Sequence, residues 1–367
     1  MGLGGVVERL TAKKWTDAEV EGIVGPHMRA CVAHAQDAAV RETAASGGAV
    51  SALLVDALQS GRADGALVCV TSVEDGRVRA RYRIASTREE VLAAQGSTYV
   101  IGDFVHEAIP LIAGHPGKLA VVALPCEITL LARRTELADK VAVRIALACG
   151  HTSETGLVDG IVEKLSREAK GAALTDYRFR VGHWRGRLRA EFADGTVIEK
   201  PSSYFNDFQN LYYFAPKKCV FCGDHFGYDA DVCAGDLWSA KYKRDPIKHT
   251  ALVAKTALGA ETIRLAEDRQ AIASADVGIR DVLDGQRRVA PFHYNLTARH
   301  EAGKRFDMNI PARDGVRARW HERAAARIVL GNYKATTTEA GVYWVLGANR
   351  RWLKMRLYLL KGLESLS

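Results

Sequence analysis

The chain of 367 residues is 48% apolar and 26% charged, which suits a folded protein with one large core or two smaller ones and excludes an extended disordered chain. It has no run of eighteen apolar residues and no N-terminal apolar segment ending at a small-residue cleavage site, so the sequence predicts a cytoplasmic protein without a spanning helix or secretion signal. The net charge of +8 is concentrated between Arg317 and Lys361, where ten Lys or Arg face only Glu322 and Glu339; the remaining body is near neutral, and no nucleic-acid binding is expected of it.

The first glycines, Met1-Gly2-Leu3-Gly4-Gly5, imitate a lipidation start, but Val6 stands where Ser or Thr is needed, and no strand precedes them to form a dinucleotide loop. After a polar, helix-like opening, Ser46-Gly47-Gly48 leads into residues 49–58, where Val50, Leu53, Leu54 and Leu58 recur at helical spacing. A glycine turn that opens a helix can cradle a phosphate on free N–H groups, although an ordinary helix start is the plainer reading. Residues 65–70, 119–124 and 141–147 are short apolar runs bounded by turn residues, the pattern of strands buried on both faces. Helical patterns over 88–94, 105–113 and 128–137 separate them, as in crossover units of a parallel sheet. The loop Gly96-Ser97-Thr98-Tyr99 is small and polar but carries no signal by itself.

The rhythm changes near residue 170. Residues 177–181 and 188–192 alternate apolar and polar side chains across the Gly182 to Gly186 turn, and Asp194-Gly195 marks another turn before Thr196-Val197-Ile198. The sequence thus predicts an α/β fold with a largely parallel sheet and crossover helices in the N-terminal part, residues 1–170. An antiparallel-rich α+β part follows in 171–310, and a basic helical tail in 311–367. In the tail, apolar residues from Trp352 onward recur at helical spacing among cations, which suits either a packed final helix or one lying on an anionic membrane at the inner face.

The seven cysteines are odd in number and follow no secretion signal, which favours metal or redox use over disulfides. Cys219-Val220-Phe221-Cys222 can bind one metal centre from a single turn, a spacing shared by zinc and iron-sulfur sites. Further ligand candidates are Cys233 nearby and the distant Cys126 and Cys149, each of which follows a predicted buried strand at the edge where α/β sheets bind ligands. Cys31 and Cys69 read as core residues. Spacing alone leaves zinc and an iron-sulfur cluster both open. Asp236, beside Trp238, is placed to orient a cofactor or bind a basic side chain, and His151, His183 and His225 are candidate proton donors.

In order along residues 25–260, the Cys31 to Asp37 and Arg41 to Gly48 segments, Gly96 to Tyr99, Leu124 to Ile128, Cys149-Gly150-His151, Cys219 to Cys222, Ala230 to Trp238 and Thr250 to Gly259 resemble the β-subunit family of coenzyme F420-dependent hydrogenases and dehydrogenases. The resemblance implies an oxidoreductase with FAD and a 4Fe-4S cluster, exchanging electrons between coenzyme F420, or a comparable low-potential donor, and a partner protein or substrate. It would place Ser46, Gly47, Gly48, Gly96, Ser97, Thr98 and Pro125 along the flavin and give the cluster Cys126, Cys149, Cys219 and Cys222, with Cys233 a spare or substitute ligand. Relatives similar to 7-hydroxymethyl chlorophyll a reductase suggest a ferredoxin-dependent reductase instead. A scaffold with a structural zinc site is the reading from another class. Residues 1–30 hold no cysteine for a second cluster, so electrons are expected from ferredoxin, another redox subunit or a soluble two-electron donor.

Overall fold

The computed structural model of the chain describes residues 15–183, 185–242 and 245–366; the Met1 to Gly5 run lies outside them. Its strands are β1 (Arg29–Ala35), β2 (Gly65–Glu74), β3 (Arg77–Ala85), β4 (Leu119–Ala123), β5 (Val141–Leu147), β6 (Leu174–Val181), β7 (Arg187–Phe192), β8 (Val197–Pro201), β9 (Val232–Asp236), β10 (Thr250–Ala254) and β11 (Ile272–Asp276). They form an eight-stranded sheet in the order β11-β1-β10-β9-β5-β4-β2-β3 and a three-stranded sheet in the order β6-β7-β8.

The centre of the large sheet is parallel: β2 pairs with β4, β4 with β5, and β5 with β9. The outer pairings, β2 with β3 and β9-β10-β1-β11, are antiparallel. The expected runs match these strands; every residue of β4, Leu-Ala-Val-Val-Ala, is buried, whereas β5 is buried only in part, with Leu147 exposed at its end. On one face Leu53, Leu54 and Ala57 of the Ala49–Gln59 helix pack with Ile263 and Ala266 of the Ala257–Asp268 helix. On the other face Ile112, Ile128 and Leu131 cover Leu119 and Val121.

The change of rhythm near residue 170 is the entry to the small sheet, a meander whose turns fall at Gly182 to Gly186 and at Asp194-Gly195. Between β5 and its parallel neighbour β9 the chain thus builds the Thr155–Glu168 helix, this sheet and two short helices, then returns to the large one. A second core joins Tyr177, Phe179 and Phe205 from this region to Val329, Leu330, Leu353, Leu357 and Leu360 from the Trp320–Ala335 and Arg350–Ser365 helices.

The tail is helical, as its periodicity predicts, and apolar on two sides. Leu353, Leu357 and Leu360 are buried, whereas Met355, Tyr358 and Leu359 are exposed beside Arg351 and Lys354. Tyr343 and Trp344 of the preceding Glu339–Gly347 helix are exposed as well. Among the described residues no helix is long and apolar enough to cross a membrane.

Candidate functional site

The parallel strands β4, β5 and β9 end at Ala123, Leu147 and Asp236, and Leu124 and Cys149 follow the first two into the edge where an open α/β sheet offers its ligand crevice. A cleft of about 410 Å³ occupies this edge, within the size of small-molecule and cofactor sites. Ser46 and Gly48 form one wall, Gly96, Ser97 and Thr98 another, and Cys149 the floor towards the cysteine-bearing segment.

The Ser46-Gly47-Gly48 turn divides its work among three residues. Gly48 adopts a left-handed conformation with φ 76° and caps the Ala49–Gln59 helix without a side-chain hydrogen bond, leaving first-turn N–H groups beside the cleft. Ser46 lines the cleft, but its hydroxyl donates to the His249 carbonyl at 2.7 Å. Gly47 faces the other way: a Cβ there would lie 2.7 Å from the carbonyl oxygens of Ala33 and Lys248, and its N–H donates to Thr250 Oγ1 at 3.1 Å. It lets the turn close on β1 and β10. On the opposite wall Gly96 has φ 124° with open space where a side chain would point, and Thr98 Oγ1 lies 2.9 Å from Thr71 Oγ1. Pro125 starts the Pro125–Ala132 helix, one residue beyond the lining Leu124.

Four further features of the wall come from segments that local motifs do not connect. The carboxylate of Glu127 accepts from Tyr82 Oη at 2.8 Å and from the Leu124 N–H at 2.9 Å, while burial pushes its pKa up. Tyr99 packs, partly buried, against Phe179 and Phe205. Asp236 accepts from Arg180 Nη1 at 2.5 Å, and the guanidinium lies 5.0 Å from the centre of the Trp238 ring, so the carboxylate binds a basic side chain, one of its two expected roles. Arg288 Nε donates to Glu364 at 2.7 Å, which brings the final helix to the rim.

Beyond Cys149 the thiols of Cys126, Cys219 and Cys222 lie close enough for each to feel the others' charge. Cys126 follows β4, Cys149 follows β5, and the Lys217–Phe221 helix and its C-cap carry the pair. Burial is the largest influence on all four and holds the metal-free thiols neutral; Cys126 is pushed up to about 12, with Lys218 opposing the rise. Among the described residues no three His, Cys, Asp or Glu side chains converge on one ion position. The four thiols share a space without meeting at a point.

Main-chain bonds hold this arrangement. His225 Nδ1 lies 2.9 Å from the Cys149 carbonyl, and the Cys149 N–H donates back to the His225 carbonyl at 3.1 Å. His293 Nδ1 lies 3.2 Å from the Cys222 carbonyl, and its Nε2 contacts the Gly150 carbonyl. His151 stacks on Tyr212 with ring centres 4.0 Å apart; burial lowers both His151 and His225 to about 4. His183 is exposed and bonded to the Asp245 carbonyl, away from the cleft.

Cys233 lies in the core with Trp15, Phe226 and Val253, and Cys31 is fully buried in another cluster. Cys69, expected in the core, also lines the cleft.

Two sequence patterns match most of the chain: the Coenzyme F420 hydrogenase/dehydrogenase beta subunit N-terminal region over residues 30–106 and its C-terminal region over 117–278. The coenzyme F420 hydrogenase subunit beta of Methanococcus voltae is 24% identical over 227 residues, 59% of this chain and 74% of that protein. An uncharacterized protein of Methanocaldococcus jannaschii is 24% identical over 221 residues, 54% of each chain. A chain in the F420-reducing NiFe hydrogenase complex of Methanosarcina barkeri shares the fold at TM-score 0.58 and 21% identity, covering 80% of this chain and 98% of that one.

Proposed function

This chain belongs to the β-subunit family of coenzyme F420 hydrogenases and dehydrogenases, and from that premise we propose that it is a flavin- and 4Fe-4S-dependent oxidoreductase. It exchanges electrons between coenzyme F420, or a comparable low-potential donor, and another redox subunit. The observation that carries the reading is the position of Cys149, which lines the cleft and stands within charge range of the other three thiols. One residue therefore separates an organic cofactor in the cleft from a metal centre behind it.

The residues present fit both groups. Helix N–H donors beside Gly48, the open space at Gly96 and the hydroxyls of Ser97 and Thr98 suit FAD. The four thiols, near one another without converging on one ion position, suit a cluster that gives each thiolate its own iron; a single zinc ion would require the sulfurs to converge. When bound, a flavin takes or gives a hydride on one side and single electrons on the other. Glu127, held by Tyr82, keeps a carboxyl group at the cleft wall, and Cys149 would stand between the two groups. Tyr212 is buried and Tyr99 partly buried beside the cleft.

The exposed Met355, Tyr358 and Leu359 stripe, with Arg351 and Lys354 beside it, is the surface we assign to contact with the partner subunit or an anionic membrane. Sedimentation with anionic and neutral liposomes separates the two: no pelleting with either leaves the protein partner.

The test of the main reading is anaerobic purification followed by visible spectroscopy and analysis of flavin, iron and zinc. Flavin together with about four irons per chain is the expected result, and the reduced protein should bleach coenzyme F420 or be reoxidised by it. A colourless protein that retains zinc after anaerobic reconstitution with iron and sulfide would overturn the proposal.

A further inference from the structure

Arg299 is a buried cation without a carboxylate partner among the described residues. It stands on the Leu296–Gly303 helix, beyond the last family-matched residue, 278. Its side chain is fully buried and donates to three main-chain carbonyls: Nη1 to Val220 at 2.8 Å, and Nη2 to Cys222 at 2.7 Å and to His293 at 2.8 Å. Nε has no hydrogen-bond partner. The guanidinium carbon lies 4.9 Å from the centre of the Phe292 ring.

Removing a guanidinium from water costs several kcal/mol even after the protein relaxes, and carbonyl dipoles offset only part of that. Such a group needs negative charge nearby. Two of its three carbonyls belong to the Cys219–Cys222 turn, so the geometry aims the cation at the thiol group. Its attractive electrostatic neighbours are Tyr212, Cys222 and Cys219. Thiolates of Cys219 and Cys222 bound to a metal centre would supply that negative charge.

We propose that Arg299 is the fixed countercation of the centre held by Cys126, Cys149, Cys219 and Cys222, and that it raises the reduction potential of that centre. This inference rests on the cluster reading above. A one-electron reduction of a centre held there would add negative charge near the buried guanidinium, so the reduced form would gain more than the oxidised form. Arg299 is a positioning residue in this account: it also fixes the CxxC turn by holding the Val220 and Cys222 carbonyls.

The experiment is a mediated potentiometric titration of the anaerobically reconstituted full chain, with iron content measured on each sample. Arg299→Met and Arg299→Gln should shift the one-electron equilibrium at least tenfold towards the oxidised form, a fall of 59 mV, with the iron retained. Arg299→Lys keeps the charge and should stay within that margin of the wild type. Unchanged potentials in both neutral variants would overturn the proposal. So would an Arg299→Lys shift as large as that of Arg299→Met, because carbonyl bonding would then be the whole role. Collapse of both neutral variants, with or without iron, would assign Arg299 to the fold alone. A wild type that holds no iron fails at the cluster reading, whereas a loaded wild type with unmoved variants fails only here.

Discussion

Gly47→Ala separates a structural glycine from a cofactor-contacting one. The added Cβ would lie 2.7 Å from both the Ala33 and Lys248 oxygens and 3.1 Å from the Thr250 nitrogen. Carbon atoms do not approach main-chain oxygens so closely, and these belong to β1, to the residue two before β10 and to β10 itself, none of which yields like a flexible side chain. Overpacking of this kind costs about 2–3 kcal/mol. For a chain of this length that should lower the melting temperature by roughly 3 °C. The assay is thermal melting with and without added FAD, with flavin affinity measured well below the transition. Because Gly47 faces away from the cleft, the affinity should fall much less than the stability. A variant with unchanged melting temperature and no flavin binding would refute this account and return Gly47 to the cofactor face.

The cysteines give a paired test: Cys219→Ser should lose most of the reconstituted iron, while Cys233→Ser should retain it and lose about 1–3 kcal/mol by placing a hydroxyl in the core, as read by iron analysis and urea unfolding. In the tail, Leu357→Ala should destabilise by about 2–5 kcal/mol, whereas Tyr358→Ala, at 68% exposure, should remain within about 0.5 kcal/mol of the parent; equal effects on denaturant midpoints would contradict the two-sided helix. At the β2–β3 edge the Arg81 guanidinium, donating to Glu74 at 2.8 Å, lowers that carboxyl to about 2. A depressed acid contributes stability above its unfolded pKa of about 4.5 and loses it as pH falls through about 2. Glu74→Gln should therefore lose less stability than the wild type across that window, by well under 1 kcal/mol for a solvent-exposed pair.

What can be read in advance follows from where the signal resides. β4 and β5 are continuous apolar runs, and the Ala49–Gln59 helix has an apolar face and a glycine start, so local pattern finds them. β3 is harder, because arginines at 77, 79, 81 and 83 hide an alternation in which Val78, Ala80 and Tyr82 are buried; the Asp75-Gly76 turn, both residues at positive φ, is the signal that reveals the hairpin. Of the cleft, the Ser46 to Gly48 and Gly96 to Thr98 segments carry glycine signatures. Glu127, Arg180, Arg288 and Glu364 meet there only after the sheet and the final helix have formed, and no local spacing encodes such a meeting. Gly47 shows the same gap at one residue: its glycine is legible, but the direction its missing side chain faces is set by β1 and β10, far away in sequence. Arg299 is still less legible, since an arginine in a short polar helix ordinarily faces water.

The four thiols come from three stretches of chain that are widely separated in sequence, after β4, after β5 and on the Lys217–Phe221 helix. A centre bonded to all of them would act as a covalent knot, closing two long loops through the middle of the protein. In the chain-entropy treatment of cross-links each closure is worth about 3–5 kcal/mol, because the unfolded chain loses the conformations in which those segments drift apart. Oxidative loss of the centre would remove that constraint at one stroke. Proteolysis in the Ala148 to Gly150 and Lys217 to Asp224 segments would then accelerate before any change in the large sheet became visible, turning the redox state of the surroundings into a lifetime for the polypeptide.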